Sequence, residues 1–123
     1  MTVPHVEAYR RALSRFEEAL SEPESALIRD ACSQRFEFCF ELAWKSIQHL
    51  SRLQGQDCSS PKGCLRQAFK QGWIENDEGW ISILADRNLT SHTYDEALAK
   101  AVYDRLKAYV PMFKGLLQRL EAA

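Results

Sequence analysis

Apolar residues recur at three- and four-residue steps along almost the whole chain, and no segment keeps the two-residue period of a strand. This constrains the fold more than any other feature, because a helical period has to be buried against other helices. Tyr9, Ala12, Leu13, Phe16, Ala19 and Leu20 trace a first helix that ends near Ser21 to Pro23. Leu27, Ile28, Ala31, Cys32, Phe36, Cys39, Ala43, Ile47 and Leu50 trace a long second helix from about Glu24 to Gln54, stopped by Gly55. Phe38, Phe40, Leu42 and Trp44 widen that stripe to more than half the circumference, so several neighbours or another subunit must cover it.

Ser60-Pro61 opens a third helix, with Ser60 as its cap. Leu65, Ala68 and Phe69 face inward, and Gly72 closes the helix. Asn76 or Asp77 caps a fourth helix carrying Trp80, Ile81, Ile83 and Leu84 toward Thr90. Asp95 and Glu96 open a fifth, with the stripe Leu98, Val102, Leu106, Tyr109, Phe113, Leu116 and Leu120; Pro111 within it predicts a kink or a break. Connections of two to seven residues favour antiparallel neighbours. The expected fold is all-α, an antiparallel up-and-down bundle of four to five helices, and 123 residues make one domain, 1–123.

The formal net charge is −1, so any contact with nucleic acid must use a local patch, an assembled surface or a transient encounter. No apolar run approaches the ~20 residues of a membrane span, and Met1 to Arg11 lacks the apolar core of a secretory signal. The expected compartment is the cytoplasm. Its reducing chemistry disfavours disulfides, so Cys32, Cys39, Cys58 and Cys64 are expected as free thiols, mainly filling core. No CxxC pair exists and the three histidines are scattered, so neither a zinc site nor any other metal or cofactor is expected.

Chemistry concentrates in Ala85-Asp86-Arg87-Asn88-Leu89-Thr90-Ser91-His92-Thr93-Tyr94-Asp95-Glu96, at the junction of two helices. His92 can move protons near neutral pH, and Arg87 offers a planar fork of donors to a phosphate. Together they are a minimal kit for cleaving a phosphodiester without a metal. On a regular helix the two lie about 140° apart. They converge only if the helix unwinds near Thr90 and Ser91, or if they meet across a subunit interface. A two-fold dimer would put two His and two Arg in one cleft. The structural alternative is that Arg87 pairs with Asp86, Asp95 or Glu96 while His92 caps a helix end.

Other candidates point to structural roles. His5 lies in a start expected to be mobile, and His49 has no acidic neighbour three or four residues away. Trp44, Trp73 and Trp80 suit core packing more than base stacking. Glu37 and Glu41 share one side of the second helix, where pairing with Arg35 or Lys45, or a polar stripe at an interface, is expected over cation binding. No glycine-rich phosphate loop occurs, nor a Gly-Ser motif followed by Asp-x-Asp, so the chain is not itself a nucleotidyltransferase.

Arg35-Phe36-Glu37-Phe38-Cys39-Phe40-Glu41-Leu42-Ala43-Trp44-Lys45 resembles the second-helix signature of small bacterial and archaeal HEPN proteins known as nucleotidyltransferase substrate-binding proteins. Ser60-Pro61-Lys62, the stretch Ala68-Phe69 to Gly72-Trp73-Ile74, and Asp86-Arg87-Asn88-Leu89-Thr90-Ser91-His92-Thr93-Tyr94 fit the same family in the same order, over about Val6 to Leu117. The resemblance implies a helical homodimer and a minimal nucleotidyltransferase as partner chain. It also implies a metal-independent ribonuclease motif, Arg-x4–6-His, mapping onto Arg87 and His92 with Asn88 as the polar residue after the Arg. In the toxin–antitoxin branch the motif extends to Arg-x4-His-x-Tyr, placing Tyr94 as the residue that the partner silences by AMP transfer. The older family name implies an alternative, a non-catalytic subunit that binds substrate or nucleotide for the transferase.

Overall fold

The computed structural model describes residues 4–92 and 94–123. They form five helices: α1 (Pro4–Leu20), α2 (Ala26–Leu53), α3 (Pro61–Gln71), α4 (Asp77–Leu89) and α5 (Glu96–Ala122), with a 3₁₀ turn, Thr90–His92, after α4. No strand occurs among the described residues, and the fold is all-α as the periodicity predicts.

Most of the helix starts are set by short polar side chains that accept an otherwise orphaned N–H. Ser25 accepts from Ile28 at 3.0 Å, Ser60 from Gly63 at 3.0 Å, Asn76 from Gly79 at 2.9 Å and Asp95 from Leu98 at 3.0 Å. Gly72 ends α3 with φ +77°, a left-handed conformation that costs a side-chain-bearing residue far more.

The core is built around Phe113 of α5. Tyr9, Phe16, Phe36 and Trp80 surround its ring edge-on, with centroids 5.3 to 6.4 Å away. The Tyr9 hydroxyl donates to the Phe113 carbonyl at 2.6 Å, which ties α1 to α5. Three long helices thus share one aromatic centre, and Trp80 fastens α4 to it.

The structure corrects some expectations and agrees with others. α5 runs unbroken through Pro111. The proline ring is exposed, so the Lys107 carbonyl that loses its donor faces solvent rather than the core. His5 belongs to α1, and its ring lies 5.4 Å from that of His49. The broad apolar surface of α2 is only partly covered: Phe36, Cys39, Phe40, Ala43 and Ile47 are buried, whereas Phe38 is 56% exposed. Trp73 and Trp80 are core residues, while Trp44 is half-buried.

The cysteines divide into two kinds. Cys32 and Cys39 are buried free thiols, and burial pushes both above the usual thiol range. Cys58 and Cys64 form a disulfide, contrary to expectation. The turn at Ser60-Pro61 brings their Cα atoms to 5.1 Å, within bonding range. No helix among the described residues is long and apolar enough to cross a membrane.

Candidate functional site

The last turn of α4 is anchored from behind. Asp86, nearly fully buried, accepts from Arg105 Nε at 2.9 Å and Nη2 at 2.7 Å, and from the Tyr109 hydroxyl at 2.5 Å. Burial alone would raise its carboxyl, but the bonds from Arg105 and Tyr109 outweigh it and hold Asp86 below the usual range. The same carboxylate, after burial itself, drives the Tyr109 hydroxyl up to about 12. Asp86 therefore fixes α4 against α5, and its neighbour Arg87 points the other way.

Arg87 Nη2 donates to Glu41 Oε2 at 3.0 Å, and Nη1 donates to Asn88 Oδ1 at 3.3 Å. Neither Asp86, Asp95 nor Glu96 is its partner. Glu41 also lies 3.7 Å from Lys45, one of its two expected partners. Glu37, one turn earlier on α2, accepts from the Thr90 hydroxyl. That hydroxyl also lies 2.5 Å from the Arg87 carbonyl, so its one proton serves one acceptor at a time. Glu37 and Glu41 thus bind the end of α4 to α2, a role their spacing on α2 alone does not reveal.

Beyond Leu89 the α-helix gives way to the 3₁₀ turn, at the Thr90 and Ser91 positions where convergence of Arg87 and His92 would require a departure from regular helix. His92 and Tyr94 are exposed, and His92 Nδ1 lies 3.1 Å from the Tyr94 hydroxyl. The four predicted site residues therefore fall into two pairs, Arg87 with Asn88 and His92 with Tyr94. No hydrogen bond joins one pair to the other among the described residues. A groove of about 440 Å³ opens beside the junction, lined by Glu37, Phe38, Glu41, Arg87, Asn88 and Ser91. Thr93 of the predicted segment lies outside the described residues. Among those residues no group of three or more His, Cys, Asp or Glu could hold a metal ion.

This framework agrees with known proteins. The family described as "Nucleotidyltransferase substrate binding protein like" matches residues 5–122. The chain belongs to this family. The chain is also 34% identical over 95 residues to a Haemophilus influenzae protein named "Probable ribonuclease HepT". That match takes in 71% of this chain and 63% of the relative, so the chain spans somewhat less than two thirds of the relative's length. A crystal structure from Thermus thermophilus superposes with a TM-score of 0.84 at 37% identity, covering 91% of this chain and 98% of that one. A second structure, HI0074 from Haemophilus influenzae, is described as revealing the fold of a substrate binding domain of a nucleotidyltransferase. It shares the fold at a TM-score of 0.84 and 24% identity, covering 94% of this chain and 98% of that one.

Proposed function

We propose that this protein is a metal-independent endoribonuclease of the HEPN type, acting as a cytoplasmic homodimer and controlled by a minimal nucleotidyltransferase in a toxin–antitoxin pair. One observation carries the reading: an exposed imidazole and a half-buried guanidinium, five residues apart, on a junction where the helix has already changed its winding beside an open groove. The ribonuclease name of the Haemophilus influenzae relative supports it.

Cleavage profits from both a base and an acid, and each chain brings one His92 to the junction, so the reaction is assigned to two copies related by a two-fold axis. One His92 takes the proton of a ribose 2′-OH, and the oxygen attacks the adjacent phosphorus. The bond to the 5′ oxygen breaks, and the second His92, protonated, donates to it. The products are a 2′,3′-cyclic phosphate and a 5′-hydroxyl. Arg87 holds the phosphate as charge builds in the transition state, and Asn88 orients the guanidinium.

The test is cleavage of RNA by the purified protein with a chelator present. His92→Ala and Arg87→Ala should each lower the rate about 100-fold or more. Cleavage by His92→Ala as fast as by the parent overturns the assignment.

A second reading, a non-catalytic substrate-binding subunit of a nucleotidyltransferase complex, draws on the family description and on the Arg87–Glu41 pair, which already occupies part of the guanidinium. It predicts no growth arrest when the chain is expressed alone, and altered transferase activity when the partner is added.

A further inference from the structure

A second groove, of about 490 Å³, runs between α1 and α2 and is lined by Arg11, Arg15, Gln34, Arg35, Phe38 and Leu42, with the small residues Ala8 and Ala12 completing it. Three guanidinium-bearing residues line it, and no carboxylate does. Arg35 is tied down, donating to the Arg15 carbonyl at 2.8 Å and lying 3.8 Å from Glu18. Arg11 and Arg15 are exposed, and neither has an ion-pair partner among the described residues. Phe38 lines both this groove and the one beside Arg87, so the two grooves adjoin at its exposed ring.

We propose that this groove is a binding track for single-stranded RNA, with backbone phosphates on Arg11 and Arg15, a base on Phe38, and the strand running on to the phosphate held by Arg87. The proposal rests on the ribonuclease reading and deepens it by naming where the substrate lies outside the reacting bond. The chemistry fits a single strand better than a protein face. A positive groove that tracks a backbone, interrupted by an aromatic platform, is what unpaired nucleotides need, since every base has a face to stack. The chain's net charge of −1 makes this carboxylate-free strip a local exception. A second copy whose two-fold axis crossed this groove would bring the same cations against themselves.

The test is anisotropy of a 5′-labelled mixed-sequence single-stranded RNA, titrated with full-length protein from 50 to 200 mM salt. All proteins in this assay carry His92→Ala, so that the probe stays intact. Adding Arg11→Gln and Arg15→Gln should make the slope of log affinity against log salt shallower by about 1.4, roughly 0.7 for each phosphate no longer neutralised. Phe38→Ala should weaken binding at least about fivefold, and Phe38→Trp should restore it. Matched proteins that keep His92 are assayed for cleavage. Unchanged affinity and slope in all variants, with RNA still cleaved by the parent, overturns the track and leaves the ribonuclease reading standing. A parent that neither binds nor cleaves RNA overturns both. Should Phe38→Ala dissociate a dimer, or the arginine variants lose only the nucleotidyltransferase partner, while RNA affinity holds, the groove is a protein interface and the track is wrong.

Discussion

Arg87 reaches across 46 positions of sequence to Glu41, and the two side chains, 3.0 Å apart, are only 35% and 33% exposed. The pair lines the groove, and under the ribonuclease reading it sets a negative charge beside the place where a phosphate binds. Glu41→Gln keeps an acceptor for Arg87 but removes that charge. Under the ribonuclease reading it should lower KM for RNA and leave kcat within a few-fold, while Glu41→Ala, which also loses the acceptor, should raise KM. Stability should change by no more than about 1 kcal/mol, since the pair is partly solvated. Steady-state cleavage kinetics of the two variants check this, and a KM for Glu41→Gln well above the parent's would contradict it.

Behind the site, Asp86 should govern stability in acid. Its folded carboxyl is held below the ordinary value by Arg105 and Tyr109. The stabilisation is therefore complete above the unfolded value of about 3.9 and is lost as pH falls through the folded one. The midpoint of thermal unfolding should drop below about pH 4, and Asp86→Asn should flatten that dependence. At neutral pH, Asp86→Ala should cost about 1–3 kcal/mol, because it strands the Tyr109 hydroxyl while Arg105, largely solvated, rehydrates.

Tyr109 gives the opposite limb. Its hydroxyl is raised to about 12 by burial and by the Asp86 carboxylate, so the folded state keeps a proton that the unfolded state releases near 10. Stability is full below about pH 10 and falls as pH rises through 12. Tyr9, fully buried and also raised by that burial, adds to the same loss. Tyr109→Phe should reduce the slope of unfolding free energy against pH in this range. A slope equal to the parent's would mean that Tyr109 titrates in the fold as it does in the unfolded chain.

How much of this was legible in the sequence follows from which forces are local. Helix period and short polar caps act within a few residues, so Ser60, Asn76 and Asp95 announced their helices directly. Arg87, Asn88, His92 and Tyr94 were likewise visible as polar residues where an apolar stripe lapses. Partners were not. Asp86 stands next to Arg87 in sequence, yet it turns to Arg105 and Tyr109 because α5, not α4, supplies the donors behind it. Glu41 looked like the partner of a neighbour on α2, and Thr90 had no visible reason to meet Glu37. These pairings depend on how α2, α4 and α5 pack, and a one-dimensional spacing does not carry that. The Cys58–Cys64 bond was missed for another reason. Expectation there came from compartment, whereas the turn at Ser60-Pro61 decides proximity.

That disulfide should be measurable. Closing so short a loop, with a separation of six residues, stabilises by about 2 kcal/mol in the chain-entropy account. Reduction should lower the unfolding free energy by that amount, and on unfolding the protein should titrate two thiols, Cys32 and Cys39, without reductant and four after it. Four thiols titrating in the unfolded, unreduced protein, rather than two, would refute the pairing.

Tyr94 offers the sharpest separation between catalysis and its control. The ring is 82% exposed and its hydroxyl lies 3.1 Å from His92 Nδ1, so a group attached there would stand beside the path of a proton without disturbing the core. If the partner nucleotidyltransferase joins the phenolic oxygen to the α-phosphorus of ATP, pyrophosphate leaves and an anionic nucleotide is fixed next to His92. The added charge would repel an RNA phosphate, and its bulk would fill the approach. Tyr94→Phe should therefore cleave RNA within a few-fold of the parent when assayed alone, because the phenyl ring keeps the shape of the turn. Incubation with the partner and ATP should silence the parent and add one adenylyl group to the peptide containing residue 94, yet leave Tyr94→Phe active and unmodified. Silencing of Tyr94→Phe to the same degree would place the control elsewhere, and loss of cleavage by Tyr94→Phe alone would make the hydroxyl part of the reaction through its bond to His92.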